Sequence, residues 1–317
     1  MSSRTDLPEE SGFARRLRVA VLGASGLLGR EVFTELAQDG RFDVTGTAFS
    51  RTRAGLVSLD LTDADAVEQF FDAYRPDAVV LAAAERRPDV CEKTPERAHA
   101  LNVGAVGTVA RIARRHGSWM LSISTDYVFD GSAAPYRPDA QPNPLNAYGR
   151  GKLEGEHALA SLNPDACVLR LPLLYGPLEA IDESAATSFI PALRAASAAQ
   201  PAVIDDWAIR YPTLTTDVAV VIRQLLERVI DGMPVRGIHH WSGGEAMTKY
   251  DIALALASRL SLDPTHIIAQ STPADATPRP YDCHLDSASL ELHGIGQRTP
   301  FAIGLERVLE GLQQQVD

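Results

Sequence analysis

The sequence predicts an α/β protein built on a doubly wound parallel sheet, followed by a smaller C-terminal α/β lobe. Three observations carry this. Residues 17–36 read as a buried strand, a glycine-punctuated turn and a helix; strand and helix patterns alternate from there to residue 171; beyond Pro172 the pattern loosens into prolines, glycines and short helices.

Leu17, Val19, Ala20, Val21 and Leu22 form the near-continuous apolar run of a parallel strand covered on both faces. Leu28, Val32, Phe33 and Leu36 then recur at helical spacing. Residues 44–49 and 56–59 read as the second and third strands, and Thr62 or Asp63 caps a helix that ends before Pro76. Strands are expected at 78–83, 119–123 and 167–171, a long helix at 95–115 and another at 148–161. In the looser half, the alanine-rich stretch 185–199 reads as helix rather than linker, and 217–229 is strongly amphipathic.

Composition narrows the function classes. The chain has 317 residues, enough for one large domain and a lobe, and its formal charge of −11 argues against a general nucleic-acid or anionic-membrane surface. Its partner is therefore expected to be a small molecule or a protein, and a homo-oligomer stays open. Cys91, Cys167 and Cys283 are scattered without a C-x-x-C pair, which suits reduced thiols and a cytoplasmic location. No apolar run approaches the ~20 residues of a membrane span, and the polar stretch 1–16 reads as a disordered leader. His239-His240 and Cys283-His284 lack metal-ligand spacing, so no metal site is expected.

Gly23, Gly26 and Gly29 fall at G-x-x-G-x-x-G spacing. Such a turn lets a pyrophosphate approach main-chain N–H groups at a helix N-terminus, although similar turns occur where no nucleotide binds. At the end of the second strand stand Phe49, Ser50 and Arg51, then Arg53, where an acidic residue would favour NAD(H). A guanidinium can pair with a 2′-phosphate, so the reading prefers NADP(H); the alternative is a solvated loop. Asp60 can meet the adenine amino group while Leu61 packs on the ring, or it can cap the next helix. Ala82-Ala83-Ala84 ends the fourth strand with little bulk and leads into Glu85-Arg86-Arg87-Pro88-Asp89, an expected site wall.

Ser124-Thr125-Asp126-Tyr127 follows the fifth strand, and Tyr148 and Lys152 share a helix face further on. At i, i+4 an ammonium can stabilise a phenolate and lower a pKa that is ordinarily about 10, while the Thr125 hydroxyl orients a carbonyl. Taken alone, Tyr-x-x-x-Lys is a common surface pair; its order after the glycine turn gives it weight.

Together these residues resemble the extended short-chain dehydrogenase/reductase family, with a Rossmann-like doubly wound sheet and a C-terminal substrate lobe. The resemblance implies a catalytic set of Thr125, Tyr148, Lys152 and Asn102. Residues 124–131, 146–152 and Arg279-Pro280 are similar to the dTDP-4-dehydrorhamnose reductase branch, which reduces a keto group on a nucleotide-linked sugar. Residues 83–90, 240–243, 247–250 and 294–301 are closer still to regulatory β subunits of methionine adenosyltransferase, members of the same branch that bind NADP and a catalytic partner. By this resemblance the cofactor touches Ser25, Gly26, Leu27, Leu28, Phe49, Ser50, Arg51, Asp60, Leu61, Ala82, Arg86, Tyr148 and Leu174, and Lys152 anchors its nicotinamide ribose. Asp60 and Ala82 stand where that subunit has Asn and Cys, and Thr125 where it has Ser.

The expected division is an NADP-binding domain over 17–175, to which 209–235 returns, and a substrate lobe over 176–317 that can place Trp207, Arg210, Tyr211 and Arg279 at the cavity. Two roles follow from the resemblance: reduction of a nucleotide sugar, with Tyr148 as proton donor, or a regulatory subunit docked on a methionine adenosyltransferase. The absence here of that subunit's long aromatic and basic C-terminal extension favours the first.

Overall fold

The apolar run and the helical spacing after the turn become β1 (Leu17–Leu22) and α1 (Leu27–Ala37) in the computed structural model, which describes residues 15–51, 53–273 and 277–313. The alternation continues through β2 (Phe42–Ala48), β3 (Leu56–Ser58), α2 (Ala64–Tyr74), β4 (Ala78–Leu81), α3 (Pro88–Lys93), α4 (Pro95–His99), α5 (Val106–His116), β5 (Trp119–Thr125), α6 (Ala147–Leu162) and β6 (Cys167–Leu171). The second half holds β7 (Leu174–Tyr175), α7 (Ile190–Ala195), β8 (Ala202–Asp205), β9 (Thr213–Leu214), α8 (Thr215–Ile230), β10 (Gly237–His240), α9 (Lys249–Arg259), β11 (Ile267–Gln270), α10 (Ala288–Glu291) and α11 (Phe301–Gln313).

Seven strands form the main sheet in the order β3-β2-β1-β4-β5-β6-β10, with every pairing parallel. The chain winds outwards from β1 and then returns to β4 on its other side, so the topological switch point lies between these two strands. Successive residues of β1 serve opposite layers. Val19 and Val21 pack with Val32 and Leu36 of α1 and with Val218, Ile222 and Leu225 of α8. Ala20 and Leu22 pack with Val67 and Phe71 of α2 and with Val109 and Ile112 of α5. Burial on both faces is why the strands read as continuous apolar runs. A third core, under β7–β9 and the parallel pair β8–β11, joins Tyr175, Ile190, Ile204, Ile252, Leu256, Phe301 and Leu305.

Of the two expected caps for α2, Asp63 is the one used, accepting from the N–H groups of Asp65 and Ala66 at 3.0 Å each. The fourth strand stops at Leu81 because the N–H groups of Ala82 and Ala83 both turn onto the Leu22 carbonyl. The helix expected over 95–115 is broken by a π turn at Ala100–Ala105. There α6 comes so close that a Cβ at Gly155 would stand 2.4 Å from the Asn102 carbonyl oxygen. Apolar periodicity does not register such a turn, since the buried face continues through it. Within 185–199 the helix is confined to α7, opened by Pro191 in its first turn and closed by extended backbone at Ala196. Of the expected leader, residues 1–14 lie outside the described residues, and the Arg15 guanidinium bonds both Asp77 carboxylate oxygens at 2.8 and 3.1 Å. Among the described residues no helix is long and apolar enough to cross a membrane.

Candidate functional site

A cavity of about 450 Å³ opens at the C-terminal ends of the parallel strands and is lined on its far side by residues of the 171–174 and 183–185 segments. It begins at the glycine turn. Gly23 adopts φ +95° and a Cβ at Gly29 would stand 2.1 Å from the Gly23 carbonyl oxygen, so strand and helix meet only if both lack side chains. No side chain caps the N-terminus of α1, where Gly26 is the cap residue, and a Cβ on Gly26 would meet only the Gly23 carbonyl, at 3.4 Å. The space over the turn is therefore open, and the free N–H groups of α1 face a ready anion site.

Ser25, Leu27, Leu28, Phe49, Ser50, Arg51, Asp60, Leu61, Ala82, Arg86 and Leu174 all line this cavity, as do Gly23, Gly26 and Gly29. Asp60 spends one carboxylate oxygen on the Thr62 N–H and hydroxyl, at 2.9 and 2.7 Å, leaving the other for a ligand. Of the charged stretch after β4, Arg86 and Pro88 reach the cavity, while Glu85 pairs with Arg87 at 3.0 Å. Arg51 is not a free cation: it is ion-paired with Glu183, and Arg53 with Glu179.

Thr125, Tyr148 and Lys152 line the opposite end. The Asn146 side chain accepts from the Gly149 N–H at 2.9 Å and so starts α6 with Tyr148 in its first turn. Thr125 at the end of β5 stands beside the Tyr148 phenol, and its hydroxyl donates to Asp126 at 3.0 Å. Burial pushes the phenol well above its ordinary value, against the Thr125 hydrogen bond that lowers it. Lys152 differs from expectation. Its Nζ donates to the Ile123 carbonyl at 2.7 Å, and burial lowers its pKa to about 8 against the raising charge of Glu156. The ammonium is thus held by the strand rather than on the phenol, because a desolvated cation takes the nearest carbonyl. Asn102, nearly fully buried, sits behind the cavity wall: its Oδ1 accepts from the Glu85 N–H at 2.9 Å and its Nδ2 donates to the Glu85 carbonyl at 3.0 Å. Of the four residues considered for a substrate wall, Arg210 and Arg279 line the cavity and Trp207 and Tyr211 do not.

With the glycine turn and the Thr–Tyr–Lys set in one cavity, the known proteins this chain matches can be compared. Residues 17–314 match the family described as the RmlD substrate binding domain. The chain belongs to the RmlD substrate-binding family. Over 92% of its length and 87% of the relative's, it is 43% identical to methionine adenosyltransferase 2 subunit beta of Xenopus tropicalis. It is 34% identical to a dTDP-4-dehydrorhamnose reductase of Aggregatibacter actinomycetemcomitans, over 75% of this chain and 78% of that one. The crystal structure of dTDP-4-dehydrorhamnose reductase from Bacillus anthracis in complex with NADP superposes with a TM-score of 0.79 at 25% identity, covering 94% of this chain and 99% of that one. The architecture is that of the extended short-chain dehydrogenases/reductases.

Sequence reasoning about this RmlD-family chain missed two groups at the cavity. Asp126 lay inside a motif already noted, yet its role needed the fold: fully buried beside Arg210, it has its pKa raised to about 6 by desolvation. Glu183 had no local signal at all. Behind the Tyr148 end, and unsuspected from spacing, lies a buried ion pair in which Arg170 donates to Glu156 at 2.9 and 2.6 Å while the Ser124 hydroxyl donates to the same carboxylate at 2.5 Å.

Proposed function

We propose that this chain binds NADP(H) and reduces the keto group of a nucleotide-linked sugar. One observation carries the reading: an open, uncapped glycine turn and the Thr125, Tyr148 and Lys152 side chains line a single cavity. Gly23, Ser25, Gly26, Leu27, Leu28 and Gly29 would hold the pyrophosphate. Phe49, Ser50, Arg51, Asp60 and Leu61 would hold the adenosine end, and Ala82, Arg86 and Leu174 the middle. When bound, NADPH would supply the hydride for the carbonyl carbon. The Tyr148 phenol, raised by burial, keeps its proton at neutral pH and gives it to the carbonyl oxygen, towards which the Thr125 hydroxyl would turn from Asp126. Lys152, with a pKa of about 8, carries its charge at pH 7; released from the Ile123 carbonyl, it would hold the nicotinamide ribose and stabilise the phenolate left behind. Asn102 acts by holding the loop at Glu85. The related dTDP-4-dehydrorhamnose reductases support the substrate class, and the free, buried Cys91, Cys167 and Cys283 suit a reducing cytoplasm.

The 43% identity over nearly the whole chain to a methionine adenosyltransferase subunit favours a second reading, in which the cofactor is structural and the partner is a methionine adenosyltransferase. One assay separates the two: NADPH oxidation with dTDP-4-dehydrorhamnose, by wild type and Tyr148→Phe, with NADPH binding measured separately. Turnover that Tyr148→Phe abolishes while binding survives is the expected result. Binding without turnover in either protein overturns the reductase assignment and leaves the regulatory one.

A further inference from the structure

The cation that a 2′-phosphate would need is already engaged. Arg51 follows β2, where the adenosine ribose edge lies in this fold, and it is ion-paired with Glu183 from a segment more than a hundred residues away. Glu183 is almost fully buried and its carboxylate is saturated. Arg30 donates to its two oxygens at 3.0 and 2.7 Å, and the Glu179 N–H donates at 3.0 Å. Glu179 in turn faces Arg30 at 3.4 Å and Arg53. Three guanidinium groups thus stand against two carboxylates, and Arg51 and Glu183 of this cluster line the cavity. The same strap is tied down by Arg30 to the Pro177 carbonyl at 3.2 Å, by Arg86 to the Asp182 carbonyl at 3.2 Å and by the Ser184 hydroxyl to the Leu174 carbonyl at 2.7 Å.

We propose that Glu183 sets the discrimination between NADP and NAD by holding Arg51 in an internal ion pair that the 2′-phosphate must exchange, and that this exchange loosens residues 177–187 over the cavity. The inference rests on the dinucleotide reading of the cavity. A 2′-phosphate brings nearly two negative charges; it gains Arg51 only by drawing the guanidinium away from Glu183 or by lying close to that carboxylate. A 2′-hydroxyl carries no charge and leaves the Arg51–Glu183 pair in place. Glu183 therefore acts as an acid supplied from the far segment where β2 offers arginine. Removing its charge raises the preference for the 2′-phosphorylated cofactor. Arg30 and the Glu179 N–H lose part of a partner in Glu183→Gln, but the amide oxygen still accepts.

The test is calorimetric titration of NADP+ and NAD+ into the purified protein, Glu183→Gln, Arg51→Gln and the double variant at low salt, with hydrogen exchange on the wild type. In Glu183→Gln the NADP+/NAD+ affinity ratio is expected to rise by about ten-fold, which is about 1.4 kcal/mol and little more than two like unit charges about 4 Å apart exert on each other in water. In the double variant that gain disappears, since the phosphate has lost Arg51. On wild type, NADP+ raises exchange across 177–187 relative to NAD+. A ratio unchanged or lowered in Glu183→Gln, or equal exchange with both cofactors, overturns the inference while leaving the dinucleotide site intact. Failure of the wild type to bind either cofactor overturns the site itself. Should Glu183→Gln fold poorly, the exchange comparison on wild type decides alone.

Discussion

Deleting the Glu156 carboxylate should damage the protein in two separable ways. Arg170 and Glu156 are 1% and 5% exposed at their side chains, and two short bonds hold them together. The remaining contacts of Arg170 are long, 3.4 Å to His240 Nε2 and 3.5 Å to the Pro138 carbonyl, with Phe129 below it at 5.1 Å. Glu156→Ala therefore leaves an uncompensated guanidinium where water cannot follow. The expected cost is about 3–5 kcal/mol, a large part of a total stability of roughly 5–15 kcal/mol. Glu156 also stands one helical turn from Lys152 and raises its pKa. Without it the ammonium falls below about 8, so cofactor affinity should decline at a lower pH than in the wild type. Urea unfolding followed by Trp119 and Trp241 fluorescence measures the first effect, and NADPH titration between pH 6 and 9 the second. The double variant Glu156→Leu, Arg170→Met should recover most of the stability, because it removes the orphaned charge, but not the Lys152 shift. A loss below about 1 kcal/mol in Glu156→Ala, or a double variant weaker than the single one, would refute the reasoning.

Gly29→Ala puts a Cβ 2.1 Å from the Gly23 carbonyl oxygen, so α1 must move off the turn. A stability loss of about 1–3 kcal/mol and at least ten-fold weaker dinucleotide binding are expected by thermal melting and calorimetry, and unchanged binding would show that the turn is not the phosphate cradle. His240 is fully buried and its pKa is lowered to about 3 by burial and Arg170. Its unfolded value of about 6.5 lies above the folded one, so its contribution is complete above that pH and is lost as pH falls towards 3. Between pH 7 and 5 the loss amounts to about 2 kcal/mol, which His240→Gln should remove from the pH–stability profile.

Most of the sheet was legible because strands buried on both faces cannot hide their apolar runs: 167–171 coincides with β6. The convergence of Tyr148 and Lys152 on one cavity was legible for a similarly local reason, since residues four apart on a helix share a face. What escaped depends on partners distant in sequence. Lys152 settles on the Ile123 carbonyl, Arg51 on Glu183 and Asn102 on the Glu85 backbone, and no local pattern announces any of these. The π turn escaped because it preserves the buried face, and β10 because four residues with two histidines do not resemble a strand.

The position of β10 has a bearing on how the molecule comes into being. Gly237–His240 closes the flank of β6, and α8 packs with α1 in the same layer against the sheet, so the layer that carries the glycine turn is completed by residues made long after it. A nascent chain released only as far as residue 175 would present β6 as an open hydrogen-bonding edge and leave the apolar core shared with α8 uncovered, both invitations to association with neighbouring chains. The glycine-turn half is thus no portable cassette. Translation must pass residue 240 before its sheet is complete and residue 279 before its pocket can close, and early termination yields a client for chaperones rather than a smaller cofactor-binding protein.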